Sequence, residues 1–279
     1  FHRLGIFVGG WTLEAAEVVA ARDGALDVVE GLSALGDLNL IRIVDSAGGP
    51  RYTMLETIRE FARERLAESP EAERVAQAHA AYYSNLAARG AQHLTGSSQG
   101  AWLRRLDVEI PNLRMALQSL AADDDGDAYL HLATNLGDYW FRRSHFAEGQ
   151  GHLEAALLRT SAPSPPRAAA LLWLGALAFG QADFDTADTW LEQCEVLARS
   201  LDASPLVYDA LFWRGVVAEH MGETARAISS FESALTVARE LNDAKSIGSA
   251  LNALCLFDLN QRDLERAERR INEAISFLF

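Results

Sequence analysis

Lysine is almost missing from this chain: Lys245 is the single one among 25 basic residues, and arginine supplies the rest. Acidic residues number 39, giving a formal charge of −14. That sign opposes sequence-independent nucleic-acid binding, which needs clustered cations to displace counterions. No basic tail offsets it, since 1–70 holds 7 basic against 11 acidic residues. Cysteine is nearly absent too. Cys194 and Cys255 are too few for a disulfide scaffold and read as inert buried thiols of a reducing, cytoplasmic environment. The longest uncharged run, Ala168 to Ala182, has 15 residues, short of the roughly 20 that span a bilayer. No signal peptide and no initiating methionine open the chain. Phe1-His2-Arg3 and the closing Phe277-Leu278-Phe279 together read as a fragment cut at both ends.

Catalytic signatures are missing as well. No GxxxxGK[ST] occurs; Gly31 to Gly36 has the glycine spacing but continues Asp37-Leu38, without the phosphate-binding lysine. Gly96-Ser97-Ser98-Gln99-Gly100 has the letters of G-x-S-x-G, but it reads as the connector between two helices and not as a strand-to-helix elbow. His145 and His152 lie seven apart with no cysteine or His-x₃-His partner, so no metal site is expected. The chain reads as a non-enzyme.

What is present is a repeat. Leu171, Gly175, Asp183, Ala187, Leu191 and Cys194 recur 40 residues on as Leu211, Gly215, Glu223, Ala227, Phe231 and Ala234. They recur again as Leu251, Cys255, Asp263, Ala267, Ile271 and Ala274. Gly137, Phe146, Gly149 and Leu153 match the first set at an offset of 38 and mark a degenerate earlier copy. A period of about 20–50 residues marks stacked supersecondary units. The small slots let two helices approach and the large ones cover a face, as in tetratricopeptide hairpins. Both cysteines, and Trp173 and Trp213 at equivalent places, then belong to the packing.

Residues 1–70 differ. Helices are expected from Leu13 to Ala21, behind a cap at Thr12 or Gly10, and from about Leu26 to Leu38. A strand over Leu40–Val44, a turn over Asp45–Pro50, a returning strand over Arg51–Met54 and an amphipathic helix over Leu55–Ala67 follow. That order suits a winged-helix unit. The helix over Asp27–Leu38 carries Asp27, Glu30 and Asp37 and no cation, so no DNA binding by this unit is expected. After Ser69-Pro70 all segments read as helical. Glu71–Arg89 and Trp102–Leu120 form a hairpin, a break follows at Asp123–Gly126, and a loop lies at Ser161–Pro166.

The expected fold is mainly α: a winged-helix unit with a small β-hairpin (1–70), a connecting helical hairpin (71–126), and an α-solenoid of tetratricopeptide-like hairpins (127–279). The repeats span about 127–165, 168–202, 206–242 and 246–279. In such arrays the first helix of each hairpin lines a concave face. With Gly175, Gly215 and Cys255 as register marks, that face would carry Leu172, Ala176 and Phe179; Phe212, Val216 and Glu219; and Asn252, Leu256 and Leu259. It is mainly apolar and lacks lysines to clamp a peptide carboxylate. An apolar helix, an extended peptide or a small effector suits it, or further repeats or a subunit cover it.

The run Tyr52-Thr53-Met54-Leu55-Glu56-Thr57-Ile58-Arg59-Glu60-Phe61-Ala62-Arg63-Glu64-Arg65-Leu66 closely resembles the end of the winged-helix region in bacterial signal-transducing ATPases of the STAND class. These include AfsR-like and MalT-like transcriptional regulators and LuxR-type ATPases. Trp102-Leu103-Arg104-Arg105-Leu106 and Pro111-Asn112-Leu113-Arg114-Met115-Ala116-Leu117 resemble the segment that joins that region to the repeats. The resemblance covers essentially the whole chain; the first run is fairly specific and the repeats are generic. It implies an ATP- or ADP-binding module elsewhere in a parent polypeptide, and no cofactor in this stretch. A winged helix would close over ADP, repeats would act as sensor, and release would permit exchange and oligomerisation. Met54, Leu55 and Glu56 stand where plant and animal relatives carry Met-His-Asp, and Leu55 has no donor for a phosphate. The implied function is the regulatory region of a STAND transcriptional regulator, with the nucleotide-binding module and a groove ligand as partners and no membrane association. The alternative is a tetratricopeptide scaffold without nucleotide control.

Overall fold

The computed structural model describes residues 1–21, 27–46, 49–123 and 125–277. Leu26, Ala47, Gly48, Asp124, Leu278 and Phe279, named in the expectations above, lie outside that set. Contacts divide the chain into two compact units, Phe1–Tyr139 and Trp140–Phe279.

The first unit opens with a 3-10 helix, His2–Ile6, followed by α1 (Leu13–Ala20), α2 (Val28–Asp37), β1 (Ile41–Ser46), β2 (Gly49–Met54) and α3 (Glu56–Ala67). The long helices α4 (Ala72–His93) and α5 (Gln99–Ala122) and most of α6 (Gly126–Arg142) complete it. Thr12 and Asp27 cap α1 and α2 by accepting from the Ala15 and Glu30 amides. The strands run further into the expected turn than the sequence suggested. Asp45 pairs with Pro50 and Ser46 with Gly49, and the Ser46 hydroxyl donates to the Gly49 carbonyl at 2.8 Å. Gly49, at φ +106°, supplies a conformation that other residues resist.

A buried polar network holds this unit together. Arg51 on β2 donates to both carboxylate oxygens of Glu109 on α5 and, at 3.0 Å, to the Gly10 carbonyl. Asn112, one turn along α5, donates to the same carbonyl at 2.8 Å and accepts from the Val8 amide at 2.7 Å. Gly9 and Gly10, both at positive φ, let this loop lie against Pro111 of α5 and Tyr52 of β2. Bidentate arginine–carboxylate geometry is the arrangement that makes a buried pair tolerable. Arg3 repeats the motif nearer the surface, donating to both oxygens of Glu71 at 2.9 and 2.7 Å and to the Ala20 carbonyl.

The second unit takes the end of α6 and continues with α7 (Phe146–Arg159), α8 (Pro165–Gly180), α9 (Phe184–Ser200), α10 (Ser204–His220), α11 (Thr224–Glu240), α12 (Ala244–Asn260) and α13 (Leu264–Ser276). These are tetratricopeptide-like hairpins. Pro165 and Pro166 belong to the first turn of α8 rather than to the expected loop, with Ser164 as cap; a proline there gives up only an amide that has no helical partner. The hairpin turns are alike. His145, Asp183, Glu223 and Asp263 each donate an amide to the carbonyl five residues back, at 2.9–3.0 Å. The residue before each (Ser144, Ala182, Gly222 or Arg262) has positive φ, as the Schellman motif requires.

Close helix approach explains the glycines. A Cβ on Gly175 would sit 2.5 Å from the Leu191 side chain, and one on Gly215 would sit 2.6 Å from the Phe231 ring. Between repeats, Arg214 of α10 donates to Asp188 and Glu195 of α9, and Arg226 of α11 also reaches Asp188. Cys194 and Cys255 are free and buried, and burial pushes the Cys194 thiol up to about 12.

Gly215→Ala should therefore destabilise the protein by about 1–3 kcal/mol through overpacking against Phe231. Gly248→Ala, in α12 with nothing within 4 Å of its would-be Cβ, should gain about 0.5–1 kcal/mol. Urea midpoints of the two variants check the opposite signs.

Candidate functional site

The register of the second unit decides which side chains remain accessible. Leu172 and Ala176 are buried, at 5% and 0% exposure, and form no part of an open wall. The reason is depth: α8 packs against α7, α9 and α10 at once, which leaves little of it accessible. Phe212 turns into the packing as well, meeting Phe231 edge-on at 5.3 Å and stacking with Tyr208 at 5.8 Å. Val216 is half-buried against the same core. Phe179 is half-buried, whereas Glu219, Asn252, Leu256 and Leu259 are exposed. The accessible part of the expected groove is thus confined to the ends of the first helices and to α12.

At those helix ends the structure gathers around Phe179 a set of rings that the sequence reading had not placed beside it. Phe179 meets Trp213 at 5.5 Å and His220 at 4.8 Å, both edge-on, and Phe184 at 5.7 Å. Phe141 joins through Trp213 at 5.3 Å and through Phe146 at 6.2 Å. Phe141, Phe146, Phe179, Phe184 and Trp213 are each half-buried and His220 is exposed, so the cluster offers an aromatic ledge. A signal for it existed: Phe141 and Phe146 precede Phe179 and Phe184 by the same 38 residues that relate Gly137 to Gly175.

One carboxylate stands apart. Burial pushes Asp209 of α10 up to about 6 from an ordinary 3.8, opposed by Lys245 and reinforced by Asp243. The sole lysine of the chain thus helps to keep a carboxylate charged.

In the first unit, Met54 is half-buried, and Leu55 and Glu56 are exposed where β2 passes into α3. Glu56 pairs with Arg59 one turn on. Its carboxyl sits below the usual range because of the Arg59 hydrogen bond. Among the described residues no group of three or more His, Cys, Asp or Glu is placed to hold a metal ion, and no helix is long and apolar enough to cross a membrane.

No family model matches the chain. Proteins of Mycobacterium tuberculosis and Mycobacterium bovis, provisionally named HTH-type transcriptional regulators, are 37% identical over 151 residues. The match covers 53% of this chain and 17% of theirs, so the chain spans about a sixth of the length of these relatives. An uncharacterized Mycobacterium tuberculosis protein is 35% identical over 80 residues, 26% of this chain and 20% of its own. Among solved structures, BtubC from P. vanneervenii aligns with a TM-score of 0.55 at 16% identity, covering 72% of this chain and 90% of that one. That likeness speaks for the helical-repeat fold alone. A STAND protein with a tetratricopeptide repeat sensor from Pyrococcus horikoshii covers 99% of this chain and 49% of its own. Its TM-score of 0.36 and 14% identity are too low to carry an argument.

The Asp209 shift has a definite sign. The folded carboxyl keeps its proton to higher pH than the unfolded one, so the group weighs on stability as pH rises from 3.8 through about 6, and fully above that. Asp209→Asn should stabilise the protein by about 2 kcal/mol at pH 7.5. The gain should vanish below about pH 4, as thermal melts across that range will show.

Proposed function

We propose that this chain is a non-catalytic regulatory region of a STAND-type transcriptional regulator. In this reading residues 1–70 form a winged-helix unit that restrains an ATP- or ADP-binding module elsewhere in the parent polypeptide. The repeats receive a protein, peptide or small effector at the aromatic ledge and the adjoining α12 surface, and the signal shifts the population of restrained and released states. The 37% identity with provisionally named HTH-type regulators of much greater length is the observation that carries the reading. The helix–helix–hairpin–helix order of the first 70 residues agrees with it. So does the absence of any Arg or Lys on α2, which leaves a protein-docking role for the unit rather than contact with DNA.

A second reading is favoured by one particular feature. Arg3 reaches Glu71, and Arg51 reaches Glu109. Residues 1–70 are thereby tied to α4 and α5 by buried or half-buried ion pairs, as a fixed cap on a protein-interaction scaffold would be. ADP affinity and oligomeric state of the parent polypeptide, measured with residues 1–70 present and deleted, separate the two. The regulatory reading expects at least a tenfold change in affinity on deletion; equal affinities and an unchanged oligomeric state leave the scaffold.

A further inference from the structure

In the second unit, α13 leaves open what the equivalent helices bury. Ile271 stands 40 residues after Phe231 of α11 and 80 after Leu191 of α9. Leu191 and Phe231 are 0% and 1% exposed, whereas Ile271 is 44% exposed. One turn on, Leu235 is buried and its equivalent Ile275 is 45% exposed. Cys194 and Ala234 are buried where Ala274 is half-buried. On α12, Leu256 is exposed where Val216 is half-buried and Ala176 buried. Each of these places holds an apolar or small side chain throughout, so cover and not composition separates them.

In the earlier repeats the cover is the first helix of the next hairpin. α10 packs on α9, and α12 packs on α11. Phe257 of α12 brings its ring to 6.1 Å from that of Phe231. Arg214 of α10 donates at 2.7 Å to Glu195, which holds on α9 the place of Ile275. The two interfaces reuse positions with matched chemistry. Arg214 follows Glu195 by 19 residues, and Leu254 of α12 follows Leu235 by the same number. The first couple is an ion pair, and both leucines of the second are buried. A hairpin that closes a stacked array turns a polar face outward. With Ile271, Ile275 and Phe277 exposed, α13 does not.

We infer that the array runs on in the parent polypeptide, and that the first helix of one more hairpin lies on α13 as α12 lies on α11. That helix follows α12 rather than α10, with an apolar residue 19 positions beyond Ile275. An arginine there would be buried against Ile275 with no carboxylate to meet it. Removing the exposed apolar side chains from water drives the contact, and each such interface between neighbours adds to the stability of the stack. The continuation holds whether the chain controls a nucleotide-binding module or serves as a scaffold.

Thiol labelling tests it, because Cys194 and Cys255 are free but buried and leave Ile271→Cys as the reactive reporter. In the 279-residue chain this thiol should label fast. A copy of residues 240–279 appended after Phe279 keeps the 40-residue period and brings a leucine to the required place. It should slow labelling roughly tenfold or more, and the parent polypeptide should protect the reporter equally. Val196→Cys, exposed on α9, should label alike in all three. Leu254→Arg in the appended copy should undo the protection, and Ile275→Glu in the chain should then restore it by rebuilding the couple of Glu195 with Arg214. The proposal is overturned if the reporter labels as fast in the parent polypeptide as in the 279-residue chain, if the appended copy gives no protection, or if Ile275→Glu fails to rescue Leu254→Arg. It is equally overturned if sedimentation shows the unextended chain to be a dimer in which the reporter is already protected, since a second copy is then the occupant.

Discussion

In the second unit the ring of Phe231 fills the space that a Cβ on Gly215 would claim, and Leu191 does the same opposite Gly175. This exchange of a small side chain on one helix for a large one on its partner sets how closely the two helices of a hairpin lie. The depth of that contact propagates. Once α8 and α9 are drawn together, α10 can settle across both; Leu172 and Ala176 end up buried and Phe179 only half-buried. Inter-repeat ion pairs from Arg214 to Asp188 and Glu195 then fix the sideways register that apolar contact leaves loose. The accessible rings at the helix ends are what remains when the packing has taken its share.

The first unit is organised by polar contacts as much as by apolar ones. Arg51, Glu109, Asn112 and the carbonyl of Gly10 satisfy one another between β2, α5 and the loop before α1. A buried ion pair stabilises little by itself, but it leaves each element a single position in which no charge is stranded. His79 lies in the same interior with its ring 5.5 Å from Phe7 and 4.6 Å from Tyr83. Burial holds it down to about 4. This interior therefore stays charge-balanced at neutral pH and is strained by acid, as the imidazole must take a proton between 6.5 and about 4.

Much of this was legible in the residues. The 40-residue recurrence of Gly175, Gly215 and Cys255 against Leu191, Phe231 and Ile271 reads directly as hairpins, because each repeat solves the same packing problem with the same sizes. Periodicity names a face but not how far the next helix lies over it, so Leu172 and Ala176 were expected on the surface and lie beneath it. Glycine and proline around Asp45–Pro50 looked like a loop; cross-strand pairing took most of that segment into the hairpin. Arg51 and Glu109 are 58 residues apart, and no local pattern ties a strand arginine to one helix glutamate. The raised Asp209 carboxyl is invisible for the same reason, since its environment is made by other helices.

The six-residue turns within the repeats share one backbone: an amide bonded to the carbonyl five residues back, and a left-handed residue before it, whether serine, alanine, glycine or arginine. Because the geometry is held by main-chain atoms and tolerates such different side chains, these four joints are interchangeable. A hairpin cut out at two such corners would carry matching ends. Array length can thus change by whole modules, through duplication or loss of coding segments, without a new corner having to be invented.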